Sequence, residues 1–182
     1  AFNILNNIYV AYDYIRANTG TASTTCLSTK LDVFWRQGFN PVQYEYPSSD
    51  PSTLSSGSFY KQDQNALFIT GGRLGNMSFE VSNHFDDFVV LHELAHHIEN
   101  VCGSLKTPGG NHSIIVRIDP RVAWAEGWAN YFAAHIMANK VSELNPEFTT
   151  RATTAGLSST AWTYLFASEG FSDSVQNIGN GS

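Results

Sequence analysis

The segment His92-Glu93-Leu94-Ala95-His96 combines two residues that can bind a metal ion with one that can move a proton. On a helix, residues four apart lie one turn above each other, so His92 and His96 would stand about 40° apart around the axis. Both imidazoles could then reach one ion. Glu93 would lie about 60° beyond His96, where its carboxylate could accept a proton from water. The spacing predicts a Zn²⁺ site with a general base.

A catalytic zinc site needs three protein ligands and one open position, so a third donor must come from elsewhere in the chain. Glu126 is the candidate, because its helix face carries mostly small groups that permit close packing against another helix: Val122, Ala129, Asn130, Ala133 and Met137. His135 lies about 180° from Glu126 on the same helix and is a poor candidate. His97 is displaced about 100° from His96, so we expect a packing or surface role for it.

Several predicted elements would position these residues. Apolar residues at helical spacing predict an amphipathic helix over residues 2–16, which Asn18, Thr19 and Gly20 would end. Alternating or β-prone apolar residues predict strands near residues 31–36, 42–46 and 65–70. An apolar face predicts a helix over residues 83–101 that ends at Gly103, and Asp119-Pro120 predicts the start of a helix that runs to about Asn139.

Composition narrows the class of protein. The chain has 182 residues, 42% of them hydrophobic and 14% charged, which predicts one folded domain over residues 1–182. The net charge is −6, and Lys and Arg form no cluster, so we expect no nucleic-acid partner. No apolar run approaches the roughly 18 residues of a membrane span, so we expect no membrane insertion.

The two cysteines, Cys26 and Cys102, do not form a Cys-x-x-Cys pair, which excludes a cysteine-ligated zinc site. One disulfide between them is the simplest alternative. The chain begins at Ala1 without a leader, as expected of a mature exported enzyme or an excised domain. These two features together favour a secreted, extracellular protein. We expect a monomer, which could form part of a longer multidomain chain.

The pair of motifs His92-Glu93-x-x-His96 and Ala125-Glu126-Gly127-Trp128-Ala129-Asn130 resembles the gluzincin zinc peptidases, including thermolysin-like and bacterial collagenase-like secreted enzymes. The resemblance covers residues 65–135. It implies zinc bound by His92, His96 and Glu126, with Glu93 activating water. Asn130 stands where thermolysin-like enzymes carry an Asp that orients a zinc-bound histidine. Two roles for Asn130 therefore stay open: orienting a histidine ligand, or serving only as an amide in helix packing.

The resemblance also implies roles outside the two motifs. Residues 65–68 resemble the edge strand that binds substrate backbone beside the zinc, so Asn65 and Ala66 are candidate substrate-binding residues, and the alternative is a core strand. Gluzincins use a Tyr or His from outside the motif to stabilise the oxyanion. His112 is the candidate for that catalytic role, and Tyr164 is a second one.

The expected fold is α+β and zincin-like. An N-terminal part, residues 1–103, would carry a small mixed sheet and the active-site helix, and a mainly helical C-terminal part, residues 104–182, would carry Glu126. The expected function is zinc-dependent hydrolysis of a polypeptide substrate, with endopeptidase favoured over exopeptidase. Two alternatives remain: a catalytically weak zinc-binding module that acts in binding or adhesion, and a structural domain without zinc.

Overall fold

The computed structural model of the chain describes residues 2–47, 57–72, 83–104, 106–110 and 118–140. Within these ranges the protein has four α-helices and one three-stranded sheet, which confirms the expected α+β class. In chain order the elements are α1 (Phe2–Thr24), a 3-10 turn (Cys26–Ser28), β1 (Asp32–Phe34), α2 (Pro41–Glu45), β2 (Phe59–Lys61), β3 (Ala66–Phe68), a second 3-10 turn (Asn83–Phe85), α3 (Asp87–Cys102) and α4 (Pro120–Lys140).

Helix α3 lies at the centre of the described structure and contacts α1, α4 and the strands β2 and β3. Asp86 caps its N-terminus, since the carboxylate accepts the Val89 N–H at 3.2 Å. At the other end the Gly103 N–H donates to the Glu99 carbonyl, as predicted for the residue that stops the helix. Its apolar side chains Phe88, Leu91 and Leu94 are fully buried, so α3 is held by packing on several sides.

Helices α1 and α4 flank α3. Helix α4 begins at Pro120 as predicted, behind Asp119, whose carboxylate accepts the Arg121 N–H at 2.8 Å. Helix α1 continues to Thr24, past the polar residues predicted to end it. The Asn18 amide and the Thr19 hydroxyl donate to carbonyls four residues earlier, at 2.8 and 2.7 Å, so both side chains are accommodated along the helix.

The three strands form one sheet in the order β1-β3-β2. Strand β3 pairs in parallel with β1 and antiparallel with β2, and Leu67 faces Val33 on one side and Tyr60 on the other. Ala66, Leu67 and Phe68 are all buried. The predicted strand at residues 65–70 is therefore a central strand, and the expectation of an edge strand there was wrong. Its continuous apolar run is typical of a strand buried on both faces.

The predicted strand over residues 42–46 was also wrong, because the chain forms helix α2 there. Asn40 caps this helix by accepting the Gln43 N–H at 3.1 Å, and Pro41 occupies its first turn. The apolar residues that alternate in the sequence suggested a strand. The Asn40-Pro41 pair was the stronger indication, because Asn followed by Pro is typical of the start of a helix.

A disulfide joins Cys26, in the first 3-10 turn, to Cys102, the last residue of α3. It spans 76 residues of sequence and ties the end of α1 to the end of the central helix. The pairing expected from the two cysteines is thus present. Among the described helices, none is long and apolar enough to cross a bilayer.

Candidate metal centre

His92, His96 and Glu126 converge on one point between α3 and α4. The His92 Nε2 atom lies 3.2 Å from the His96 Nε2 atom. The Glu126 carboxylate faces both rings, with one oxygen 3.2 Å from His92 Nε2 and the other 3.5 Å from His96 Nε2. Each residue offers a ligand atom within 4.8 Å of the others. The structure thus brings together the three ligands predicted from the sequence.

The packing of the two helices explains why Glu126 reaches α3. On the α4 face that carries Glu126, the neighbouring Val122, Ala129, Ala133 and Met137 are buried. Ala129 and Ala133 project little beyond the backbone, which allows α4 to approach the histidines closely. The opposite face carries Trp124 and Tyr131, both exposed. This division of α4 is the one that its sequence predicts.

The spacing of the two imidazoles is that of ligands of a tetrahedral zinc ion. Zinc binds imidazole nitrogen and carboxylate oxygen at about 2.0–2.2 Å, so two ligand atoms of a tetrahedral site lie about 3.3 Å apart. The two Nε2 atoms are 3.2 Å apart, and they lie 3.2 and 3.5 Å from the two different oxygens of the Glu126 carboxylate. The His96 and Glu126 side chains retain 15% and 19% exposure.

The charges around the histidines also suit a cation. Burial lowers the pKa of His96, but the Glu126 and Glu99 carboxylates outweigh that effect and raise the pKa to about 10. Burial also lowers the pKa of His92, but the Glu126 and Glu93 carboxylates outweigh that effect and raise the pKa overall. Carboxylates that hold protons on these rings attract a metal ion in the same way. Metal binding would therefore displace protons, as it does at other histidine sites.

Each histidine has a partner on the nitrogen that faces away from Glu126. The His92 Nδ1–H donates to the Asn130 side-chain oxygen at 2.8 Å. The His96 Nδ1 atom lies 4.0 Å from a Glu99 carboxylate oxygen, one helical turn along α3. Such partners fix the ring orientation and direct both Nε2 atoms toward Glu126. Asn130 thus contacts a predicted ligand, whereas the sequence had left its role open.

Glu93 is buried beside the two histidines, with 8% of its surface exposed. Burial raises the pKa of its carboxyl group above the ordinary value, and the neighbouring histidines oppose that rise. The backbone N–H of Tyr60, in strand β2, also acts to lower that pKa. A buried carboxylate with a raised pKa beside a metal site has the properties of a general base.

The structure gives Asn65 and Ala66 places that differ from the predicted substrate-binding edge. Ala66 is 1% exposed in the central strand β3, where strands on both sides occupy its backbone. The Asn65 side chain contacts His97 and Tyr60 inside the protein. Within the described sheet, β2 is the edge strand on the side of Glu93.

The other candidate residues lie away from the metal centre or outside the described ranges. His112 and Tyr164, the two predicted oxyanion donors, fall in segments that the structure does not describe. His135 accepts or donates a 2.7 Å hydrogen bond with the Tyr14 hydroxyl, far around α4 from Glu126. His97 is fully buried and bonded on both ring nitrogens, which agrees with the packing role expected for it.

Two residues near the site, Glu99 and Tyr60, were not predicted from the sequence. Glu99 follows His96 by three residues, a spacing that places two side chains on neighbouring positions of one helix face, so the signal was present. Tyr60 gave no such signal, because only the pairing of β2 with β3 brings its backbone to α3. Comparison of the chain with protein-family models, with curated proteins and with solved structures finds no match in any of the three.

Proposed function

We propose that this protein is a zinc peptidase of the gluzincin type, with a zincin-like catalytic domain. The observation that carries the proposal is the meeting of His92, His96 and Glu126, each of which offers a ligand atom within 4.8 Å of the others. Two successive described helices, α3 and α4, supply these donors. The buried Glu93 carboxylate beside them adds the one group that a hydrolytic zinc site requires and a structural zinc site lacks.

Different residues of the chain would have different roles in peptide hydrolysis. Zinc held by the three ligands would polarise the scissile carbonyl and lower the pKa of a coordinated water to about 7. Glu93 would accept the proton of the attacking water and pass it to the leaving amine. Asn130 and Glu99 would hold the two imidazoles with their Nε2 atoms directed inward.

The substrate is proposed to be a polypeptide bound in extended form along β2. This strand lies at an edge of the described sheet and packs against α3, the helix that carries Glu93. A strand edge of this kind can pair with substrate backbone on both sides of the zinc, which favours an endopeptidase. The disulfide between Cys26 and Cys102 supports a secreted location, because such bonds persist in oxidising compartments.

The proposal predicts different outcomes for two substitutions within the same helical turn. His96→Ala removes a ligand, so the purified variant should lose the roughly one equivalent of zinc expected per chain. Glu93→Gln should retain zinc and lose nearly all turnover, because an amide cannot accept the proton. Metal content is measured by mass spectrometry, and turnover with a library of fluorogenic peptides.

Three results would decide between the proposal and its alternatives. Wild-type protein that binds no zinc after reconstitution would contradict the peptidase and leave a structural domain. Zinc binding without cleavage of any peptide would favour a module for binding or adhesion. Full activity in Glu93→Gln would contradict the assigned mechanism, since Glu93 is the buried carboxylate beside the histidines.

A further inference from the structure

Strand β1 forms the edge of the described sheet opposite to β2. Its Asp32 N–H and Phe34 carbonyl bond to the backbone next to β3, at 3.2 and 3.0 Å. Because neighbouring residues of a strand direct their backbone groups to opposite sides, the N–H and C=O groups of Val33 and Trp35 point away from β3. In the described ranges no backbone hydrogen bond uses these groups.

The side chains of β1 leave this edge open as well. Val33 is 38% exposed and Phe34 is 40% exposed. Proteins usually protect an edge strand with charges, a proline, a bulge or a covering segment. The charge here is an ion pair of 2.8 Å between Lys30 and Asp32, whose side chains are 82% and 47% exposed, and so exposed a pair contributes little. Strand β1 therefore offers free backbone groups beside apolar side chains.

A row of aromatic rings runs across the sheet to the same edge. Phe59, Phe68 and Phe34 occupy matching positions in the three strands. Their rings stack, with centroids 5.1 Å apart between Phe59 and Phe68 and 4.8 Å apart between Phe68 and Phe34. Phe68 is fully buried, whereas Phe34 has Tyr44 of α2 at 6.4 Å and stays partly exposed. An aromatic residue on a further strand would continue the row and cover Phe34.

The charges beside Phe34 favour one way of pairing β1 with a copy of itself. Antiparallel pairing that sets Phe34 opposite Phe34 also sets Asp32 opposite Arg36, which gives two ion pairs by symmetry. Pairing centred on Val33 would set Lys30 against Arg36, and pairing centred on Asp32 would set two carboxylates against each other. Like charges directly opposite each other destabilise a sheet. Arg36 is exposed and has no ion-pair partner among the described residues.

We propose that the outer edge of β1 binds a second copy of the chain, with the two β1 strands antiparallel about a two-fold axis at Phe34. The two three-stranded sheets then form one continuous sheet. Val33 exchanges backbone hydrogen bonds with Trp35 of the other copy, and the two Phe34 rings meet. A monomer was expected from the sequence, and the open edge is the reason for proposing a dimer. Strand β2, at the opposite edge, stays available to substrate.

Cross-linking through an introduced cysteine tests the register. In the proposed dimer residue 34 lies opposite itself in a pair without hydrogen bonds, whose Cα atoms are about 4.5 Å apart, within the span of a disulfide. Mild oxidation should convert most of the Phe34→Cys variant to a covalent dimer on a non-reducing gel. Val33→Cys is the matched control, because Val33 is equally exposed but lies opposite Trp35. It should remain largely uncross-linked.

A charge swap tests the ion pairs without a cross-link. Asp32→Arg alone, or Arg36→Asp alone, sets like charges opposite each other and should raise the dimer Kd by about tenfold or more. The double variant with both substitutions exchanges the two charges and should return the Kd to within about threefold of wild type. Sedimentation of the whole chain at increasing concentration measures each Kd, and the Tm shows that each variant is folded.

The expected results are a concentration-dependent dimer, rescue by the charge swap and a covalent Phe34→Cys dimer. Wild-type protein that stays monomeric throughout the micromolar range would overturn the proposal. A dimer that ignores both single charge substitutions, or that cross-links through Val33→Cys instead, would place the contact elsewhere and overturn it too. The proposed function is tested separately, since a chain that dimerises in this way but binds no zinc would contradict the peptidase alone.

Discussion

At the scale of single residues, the two histidines differ in the partner that orients them. His92 donates to a neutral amide, Asn130, at 2.8 Å, while His96 faces the Glu99 carboxylate at 4.0 Å. A charged partner makes an imidazole a stronger donor to a metal than a neutral one does. His96 should therefore be the more basic ligand of the two. Zinc binding by His92 should depend more on the orientation of its ring.

Asn130→Ala should weaken zinc binding by about 10- to 100-fold, because the His92 ring loses the acceptor that fixes its orientation. Asn130→Asp should bind zinc at least as tightly as wild type, since a carboxylate accepts the same hydrogen bond and adds negative charge. Competition with a chromophoric chelator measures both affinities. Asn139→Ala, which removes an exposed amide bonded to the His135 carbonyl on the same helix, is the control. Wild-type affinity in Asn130→Ala would refute this role.

The sequence predicted the meeting of His92, His96 and Glu126 because it depends on local features. The spacing of His92 and His96 on one helix, and the small residues around Glu126 on another, follow from helical geometry alone. Asn65 was predicted to bind substrate at a sheet edge, whereas it directly precedes the central strand β3. Its partners Tyr60, His97 and Tyr12 come from three different elements, and no periodicity of the sequence relates them.

At the scale of elements, the long helices were predictable and the sheet was less so. Helices α3 and α4 combine an apolar face with a capping residue, two signals that agree. The strands have three residues each, too few for alternation to distinguish a strand from a short helix such as α2. The order of strands in the sheet depends on contacts across the chain, so neither the edge nor the centre could be assigned.

The disulfide is expected to stabilise the protein by restricting the unfolded chain. A variant with Cys26→Ala and Cys102→Ala should lose about 2–4 kcal/mol in free energy of unfolding, given the 76 residues that the bond spans. Urea denaturation measures the loss. A reducing agent should destabilise the wild type by a similar amount and leave the double variant unchanged. Equal stability of variant and wild type would mean that the bond has no such role.

At the scale of the whole molecule, zinc would join the two principal helices. His92 and His96 lie on α3 and Glu126 on α4, so an ion bound by all three adds a link that the unfolded chain lacks. At a free zinc concentration 100 times the Kd, binding stabilises the folded state by about 2.7 kcal/mol. A strong chelator should therefore lower the Tm of zinc-loaded wild type by several degrees.

The same chelator should leave the Tm of His96→Ala unchanged, because that variant has no intact site to empty. Differential scanning calorimetry at fixed protein and zinc concentrations measures both values. A wild-type Tm that does not respond to chelator would contradict a zinc link between α3 and α4. An equal response in His96→Ala would point to binding elsewhere on the chain.

The position of the disulfide has a consequence for a protein that would meet other proteases, or copies of itself. Every peptide bond between Cys26 and Cys102 lies inside the covalent loop that this bond closes. A single cut there, for instance between α2 and β2, leaves two fragments that remain attached. The bond would keep α1 and β1 attached to the fragment that carries both histidines and Glu126, and only reduction would separate the two pieces.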